Sequence, residues 1–230
     1  MKFYKLAGIL GASMVLILGL ASCAETDVVA KFSKSSFRAV LDASGERAAK
    51  AEGGLYWSLA SPQGDQVLFA ADFAGTSKPD LIMSFDAKPF LAAGLDMAKL
   101  EFPAGTEATL EGERLTIKFE LGDNAFSADA GASFATAFDE TVRTNRARIG
   151  YHAALDHYGI SVGGGNMFEW SKDMKKNDKD IVWVLDPAPF AAAGVDPGAV
   201  GGWLFAKVET MDESGKTVFV DKLLKPFNID

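Results

Sequence analysis

Hydrophobic positions along the chain occur in short, nearly continuous runs and in runs with helical spacing. Two five-residue runs bounded by aspartates, Leu81–Phe85 and Ile181–Leu185, predict central strands. Two further runs, Leu55–Ala60 and Gln66–Asp72, flank the segment SPQGD at 61–65. Proline, glycine and aspartate between apolar runs are typical of a hairpin turn, so this region predicts two paired strands.

Helical spacing occurs in two serine-capped segments, Ser36–Lys50 and Ser133–Arg148. Phe37 and Leu41 in the first segment lie four residues apart, as residues on one helix face do, and the second segment repeats this spacing. Each segment therefore predicts a helix that opens one half of the chain.

The residues after the two central strands carry one order of helix signals. Asp86 and Asp186 predict N-caps, a proline follows in each first turn, and Gly94 and Gly194 predict the C-terminal stops. Two more aspartates are predicted to open a second short turn: Asp96 and Asp196. Each half then ends in a hairpin with turn residues at 111–113 and 212–215. The pattern predicts an α+β protein, mainly antiparallel β with short helices.

The two halves resemble each other in sequence. Residues 80–100 and 180–200 share eight of 21 positions at an offset of 100, whereas composition alone gives about one or two. The identical positions are Asp80/Asp180, Asp86/Asp186, Pro89/Pro189, Phe90/Phe190, Ala92/Ala192, Ala93/Ala193, Gly94/Gly194 and Asp96/Asp196. The period is too long for a solenoid. We expect two similar copies, residues 33–126 and 130–230, packed with pseudo-twofold symmetry.

The N-terminus has the layout of an export signal. Lys2 and Lys5 precede the uncharged run Leu6–Leu20, and small residues then lead to Cys23. The sequence Leu-Ala-Ser-Cys at 20–23 resembles the lipobox of bacterial lipoprotein precursors. The resemblance implies that residues 1–22 are a signal peptide cleaved before Cys23, that Cys23 receives diacylglycerol and further acyl chains, and that residues 23–32 form a lipidated tether. An ordinary signal peptide with a chance cysteine, or an uncleaved anchor, is the alternative.

The resemblance also implies a location. The residue after the cysteine is Ala24 and not the aspartate associated with inner-membrane retention. We therefore expect the protein at the outer membrane of a diderm organism, and otherwise at the outer face of the cell membrane.

Charge limits the partners. Loss of Lys2 and Lys5 with the signal leaves 21 basic against 31 acidic residues, a formal charge of about −10. This charge disfavours nucleic acid and anionic headgroups, so we expect membrane contact through the lipid at Cys23. With Cys23 lipidated no cysteine remains for a disulfide, and the fold must rest on apolar packing.

The chain contains no G-x-S-x-G, H-E-x-x-H, P-loop or C-x-x-C motif. We therefore assign no catalytic residue, no metal site and no cofactor. His152 and Asp156 would share a face on a helix and could hold a metal or form an acid–base pair. The repeat instead aligns residues 151–157 with the strand Leu55–Ala60, which favours exposed or hydrogen-bonded histidines. The three glycines at 163–165 predict a turn or bulge, and ligand approach is the alternative.

Aromatic residues are the ligand-binding candidates. Trp57, Trp170 and Trp203 could stack on a ligand or line a groove between the copies, and core packing is the alternative for each. Trp183 lies in a central-strand run and is expected in the core. Three function classes follow in order of preference: a binding module for an envelope protein or small ligand, a structural or assembly lipoprotein, and a carboxylate-dependent enzyme.

Overall fold

The computed structural model describes residues 48–70, 79–120, 149–152, 157–171, 181–211, 214 and 216–227. Twelve strands are formed by these residues. The strands of the first half are β1 (Ala48–Ala51), β2 (Gly54–Ala60), β3 (Gln66–Ala70), β4 (Leu81–Asp86), β5 (Thr106–Glu111) and β6 (Arg114–Phe119). Those of the second half are β7 (Ile149–His152), β8 (His157–Gly163), β9 (Asn166–Ser171), β10 (Ile181–Leu185), β11 (Leu204–Met211) and β12 (Thr217–Phe227).

The strands form two six-stranded sheets in which all neighbouring pairs are antiparallel. The first sheet has the order β1-β2-β3-β4-β6-β5, and the second, from the corresponding edge, has β7-β8-β9-β10-β12-β11. Both sheets therefore consist of a four-stranded meander and a hairpin whose second strand joins the fourth strand of the meander. The expectation of mainly antiparallel β structure with short helices is confirmed.

One hydrophobic core is shared by the two sheets. Alternate side chains of the central strands point into it: Leu81, Met83, Phe85, Ile181, Trp183 and Leu185. Aromatic rings meet between the sheets, with centroids 5.2 Å apart for Phe85 and Trp183 and 5.1 Å apart for Phe69 and Phe168. The inner faces of the sheets thus pack together, and burial of their apolar area supplies the main stabilisation.

The outer faces of the central strands are buried as well. Smaller apolar clusters lie there, formed by Tyr56, Leu68, Ala70 and Ile82 on the first sheet and by Met167, Val182, Val184, Val208 and Leu224 on the second. A strand covered on both faces does not alternate between apolar and polar residues. This explains why β4 and β10 appear in the sequence as nearly continuous apolar runs.

A short helix follows each central strand: α1 (Lys88–Ala92) after β4 and α2 (Ala188–Ala192) after β10. The Oδ1 atoms of Asp86 and Asp186 accept hydrogen bonds of 3.0 Å from the N–H groups of Lys88 and Ala188. The N-cap positions are Ala87 and Pro187, so each predicted capping aspartate stands one residue earlier and still satisfies a first-turn donor.

The predicted stops and second turns are confirmed. Gly94 and Gly194 have φ of +105° and +93°. Asp96 then caps the 3-10 helix η1 (Met97–Lys99), and Asp196 caps η2 (Pro197–Ala199). In each case the carboxylate accepts an N–H two residues ahead, at 3.1 Å for Asp96 and 3.0 Å for Asp196.

The helix predicted over Ser36–Lys50 is wrong at its C-terminal end. Residues 48–50 belong to β1, which pairs with β2 through a turn at Glu52 and Gly53, both with positive φ. Such a two-residue turn matches the twist of paired strands, and sheet pairing here overrides helix propensity. Residues 36–47 and the whole predicted helix Ser133–Arg148 lie outside the described residues.

The last hairpin is longer than predicted. The notable difference is that its strands extend to Leu204 and Phe227, well beyond the residues that flank the predicted turn at 212–215. In β12, residues 223–227 pair with β10, whereas residues 217–222 pair with β11 alone. The distal half of the β11–β12 hairpin is therefore a two-stranded extension of the sheet.

The predicted signal peptide 1–22, the tether 23–32 and Cys23 all lie outside the described residues. Within the described part, the first sheet uses residues 48–119 and the second uses residues 149–227. No helix among these residues has the length and apolar character needed to cross a membrane.

Candidate functional site

The two short-helix segments meet at a contact between the two halves, which we call the central junction. The N–H of Asp96 donates to the carbonyl of Ala193, and the N–H of Asp196 donates to the carbonyl of Ala93, both at 2.9 Å. A Cβ placed on Gly94 would lie 2.6 Å from the carbonyl oxygen of Gly194. The backbones of the two segments are therefore in direct contact at this junction.

Aromatic rings fill the space beneath the junction. The centroids of Phe90 and Phe190 are 4.9 Å apart. Trp203 is buried, with its ring centroid 5.0 Å from that of Phe85 and 5.2 Å from that of Phe90. The ammonium of Lys225 lies 5.9 Å from the Trp203 ring, within range of a cation–π interaction.

The three tryptophans proposed as ligand contacts do not form one cluster in the described structure. Trp203 is at the central junction, whereas Trp170 is fully buried in the core beside Tyr158 and Phe168. Trp57 lies on β2 opposite Phe69, and its side chain is outside the described residues. Ligand binding by these residues stays a prediction, and the two described rings contribute to the core. Trp183 is buried in the core as expected.

A charged group lies at the β2–β3 turn. Asp65 is buried, and its carboxylate is 3.8 Å from the ammonium of Lys225, which belongs to the other sheet. Burial raises the pKa of Asp65 above its ordinary value, while the positive charges of Lys225 and Arg114 act in the opposite direction. The carboxylate is thus held in a partly desolvated site at the junction of the sheets.

Arg114 ties this turn to the sheet. Its Nε donates to Ser84 Oγ at 2.7 Å, and Nη2 donates to the Ser84 carbonyl at 2.9 Å and to the Gly64 carbonyl. One guanidinium therefore satisfies acceptors on β4 and on the turn, which its fixed fork of donors allows.

Lys222 makes the corresponding contact in the second half. It is buried, and its ammonium donates to the carbonyl of Gly165 at 2.5 Å. Burial lowers the pKa of Lys222, and the nearby carboxylate of Asp186 opposes this shift. Gly165 has φ of +76°, and a Cβ there would lie 3.0 Å from the Lys222 Nζ and 3.1 Å from Asp186 Oδ2.

The three glycines at 163–165 form the β8–β9 turn, as predicted, and all have positive φ. The register shifts between Ser161 and Gly163, which marks a bulge. Asn166 closes the turn: its Nδ2 donates to the carbonyls of Gly163 and Gly164 at 3.1 and 3.3 Å, and its Oδ1 accepts the N–H of Asp186 at 2.9 Å.

A buried imidazole and carboxylate lie side by side on the outer face of the second sheet. His157 Nδ1 is 3.8 Å from Glu169 Oε2, and both side chains are buried. Gly159 lies opposite Glu169 in the sheet, and a Cβ on Gly159 would be 3.2 Å from Glu169 Cγ. The glycine therefore leaves the space that the glutamate side chain occupies.

The same positions are apolar or aromatic in the first sheet. Leu68 lies opposite Ile82 in the first sheet, as Glu169 lies opposite Val182 in the second. On the next strand of each sheet, Tyr56 of β2 occupies the position in the first sheet that His157 of β8 occupies in the second. The pair is thus a specific feature of the second half, in which an imidazole and a carboxylate are both held out of water.

The placement of residues 151–157 on one strand is wrong. The segment spans two strands, β7 and β8, and His152 lies directly opposite His157. Asp156 and the His152 side chain are outside the described residues. The repeat alignment of residues 151–157 with Leu55–Ala60 was wrong because the strand equivalent to β2 is β8, which begins only at His157. A glutamate inside the apolar run Met167–Trp170 was the signal that could have revealed the partner of His157.

The four paired aspartates have structural roles: Asp86, Asp96, Asp186 and Asp196 each accept a backbone N–H at a helix start. In the described part of the chain, no group of three or more His, Cys, Asp or Glu side chains could hold a metal ion. No family model, no curated protein and no solved structure matches this chain.

Proposed function

We propose that this chain is a lipid-anchored extracytoplasmic envelope lipoprotein whose folded body is a non-catalytic binding module for an envelope protein or a small ligand. The observation that carries the anchor is the sequence Leu-Ala-Ser-Cys at 20–23, behind an uncharged run and two lysines. Several acyl chains on Cys23 would hold the body at the membrane stably, since one chain alone binds only marginally. Ala24 favours the outer membrane where two membranes exist.

The buried and half-buried charged groups that the structure describes have structural partners. Arg114 and Lys222 each reach a turn carbonyl, and Asp65 lies against Lys225 across the two sheets. These groups hold hairpins to the sheets, and a buried charge needs such a partner. Among the residues that the structure describes, the His157–Glu169 pair is the arrangement that would suit acid–base chemistry.

We also infer that the halves arose by duplication and are related by an approximate twofold axis. The equal strand orders support this, as do the reciprocal hydrogen bonds from Asp96 to Ala193 and from Asp196 to Ala93. The contacts of Arg114 and Lys222 with equivalent turn glycines support it independently, because the two side chains differ in type but reach the same place. Superposition of the halves in a crystal structure tests the axis, and unlike strand orders in the two halves would contradict the duplication.

Replacement of Cys23 tests the anchor. We expect Cys23→Ala to lose incorporation of a tagged fatty acid and to accumulate as a precursor that retains residues 1–22, because no thiol is left to receive diacylglycerol. Ser22→Ala is the matched control, since it keeps the cysteine and a small residue before it, and it should be labelled as the wild type is. Equal label on Cys23→Ala would exclude lipidation at this residue.

Replacement of Glu169 tests the non-catalytic assignment. Glu169→Gln keeps the shape of the side chain and removes its charge. We expect the folded variant to complement a strain that lacks the protein as fully as the wild-type protein does. A variant that folds with unchanged content of strand by circular dichroism, yet fails to restore the phenotype, would favour a carboxylate-dependent enzyme instead.

A further inference from the structure

Strand β11 forms one edge of the second sheet in the described part of the chain. It is eight residues long, and its first two side chains, Leu204 and Phe205, are each 46% exposed. Phe219, on the neighbouring strand β12, is 59% exposed. A long edge with exposed apolar side chains presents unpaired N–H and C=O groups to another strand.

We propose that β11 is a self-association edge, at which two copies of this chain pair their β11 strands antiparallel about a twofold axis through Val208. The pairing would join two six-stranded sheets into one continuous sheet. This interface is additional to the ligand or partner of the binding module. We assign a second copy as the partner of this edge, because in one register the charged side chains of β11 face side chains of opposite charge on the β11 strand of the other copy.

Parity restricts the register. In an antiparallel pair, two directly opposite residues both point their N–H and C=O groups toward the partner strand, or both point them away. This direction alternates from one residue to the next. When the two strands are identical, opposite residues must therefore be an even number of positions apart, and one residue lies opposite its own copy on the twofold axis. With Lys207 at the axis the two ammonium groups face each other, and with Glu209 at the axis the two carboxylates do. With Val208 at the axis, Lys207 of each copy faces Glu209 of the other, on the same side of the sheet.

The neighbouring strand extends this pattern. Within one copy, the ammonium of Lys207 is 3.0 Å from Asp221 Oδ1 on β12, and both side chains are exposed. In the proposed dimer each Lys207 would stand between Asp221 of its own copy and Glu209 of the second copy. Exposed ion pairs contribute little affinity, so the charges select the register, while backbone hydrogen bonds and burial of Phe205 supply the attraction.

The equivalent edge of the first sheet lacks this complementarity. Strand β5 carries Glu107 and Glu111, both exposed. The register that pairs the whole of Glu107–Glu111 with its own copy would place these two glutamates opposite each other, twice. Like charges on an edge strand oppose self-pairing, so β5 serves as the internal comparison for β11.

The test uses the full chain, expressed with two different tags in one cell and solubilised in detergent, with co-purification of the tags as the measurement. Lys207→Glu alone and Glu209→Lys alone each put like charges opposite each other twice. We expect each variant to reduce its own co-purification about tenfold or more. Co-expression of the two single variants should restore it, because every facing pair is then of opposite sign, and the double variant K207E/E209K should restore it too.

Glu107→Lys on β5 is the matched control and should leave co-purification unchanged. Circular dichroism of each variant verifies folding, and the co-expressed pair is informative even if one single variant is less stable, because restoration requires both charges. Absence of co-purification for the wild type would overturn the proposal. Co-purification of each single variant at the wild-type level would also overturn it. So would failure of both the co-expressed pair and the double variant to recover co-purification.

Discussion

Gly94 and Gly194 show how one residue type serves two purposes. Their positive φ allows each short helix to stop, and their missing Cβ atoms allow the two backbones to touch. The sequence predicts the first purpose, because a glycine follows a capped helix. The second depends on an approach between residues 100 positions apart, for which the local sequence holds no signal.

Substitution of Gly94 separates the two purposes. Backbone strain alone predicts a loss of about 1–2 kcal/mol, and the contact 2.6 Å away should raise the loss for Gly94→Ala to about 3 kcal/mol in urea denaturation. Gly112→Ala is the matched control, because Gly112 has φ of +59° and open space around its Cβ position. Equal losses at the two positions would show that the backbones do not approach as described.

Asp65 gives a pH-dependent prediction at the same scale. Its raised pKa means that the folded state binds a proton more tightly than the unfolded state, whose pKa is near 3.8. Below the unfolded-state pKa the carboxyl is protonated in both states, and Asp65 does not reduce the free energy of unfolding. As pH rises through the folded-state pKa, ionisation of the buried carboxyl lowers the free energy of unfolding. We therefore expect Asp65→Asn to raise the free energy of unfolding relative to wild type more at pH 7 than at pH 3. An increment that is equal at both pH values would contradict this.

At the scale of elements, one hairpin turn in each sheet is held by a cation from the strand of that sheet that comes last in the sequence: the β2–β3 turn in the first sheet and the β8–β9 turn in the second. Arg114 reaches the Gly64 carbonyl from β6, and Lys222 reaches the Gly165 carbonyl from β12. Arginine adds two bonds to Ser84, and lysine has no such second anchor among its described contacts. The contact between the turn and the strand is thus present in both sheets, although the side chain that makes it differs.

Replacement of Arg114 measures this fastening. Arg114→Ala removes the donors of three bonds and leaves the acceptors partly desolvated, which should lower the free energy of unfolding by about 2–3 kcal/mol. Arg114→Lys should lose about half as much, because an ammonium can still reach the turn carbonyl as Lys222 does. Thermal denaturation provides the comparison. A loss for the lysine variant as large as that for the alanine variant would contradict the equivalence of the two contacts.

At the scale of the whole molecule, the two sheets share one core and should unfold together. The rings of Phe90, Phe190 and Trp203 interlock beneath the central junction, so neither half can open without exposing the apolar face of the other. Separate unfolding would leave a large apolar surface in water, at a cost proportional to its area.

We expect a single unfolding transition, with the same midpoint by tryptophan fluorescence and by far-ultraviolet circular dichroism. Phe90→Ala should lower the free energy of unfolding by about 3–5 kcal/mol and shift both signals together, because the cavity lies between the halves. Leu91→Ala is the control, since Leu91 is 39% exposed and should cost far less. Two transitions, one sensitive to Phe90→Ala and one not, would show that the halves fold independently.

The amino-acid sequence by itself determined the central strands, the short helices that follow them and the glycine stops of these helices. These features depend on local signals: apolar runs, capping aspartates and glycines that need positive φ. The contacts of Arg114, Lys222 and Glu169 were decided by tertiary structure, because strand pairing and sheet packing join residues distant in sequence. Edge position likewise follows from sheet order, so the self-complementary charges of β11 acquire meaning only once that strand is known to lie at an edge.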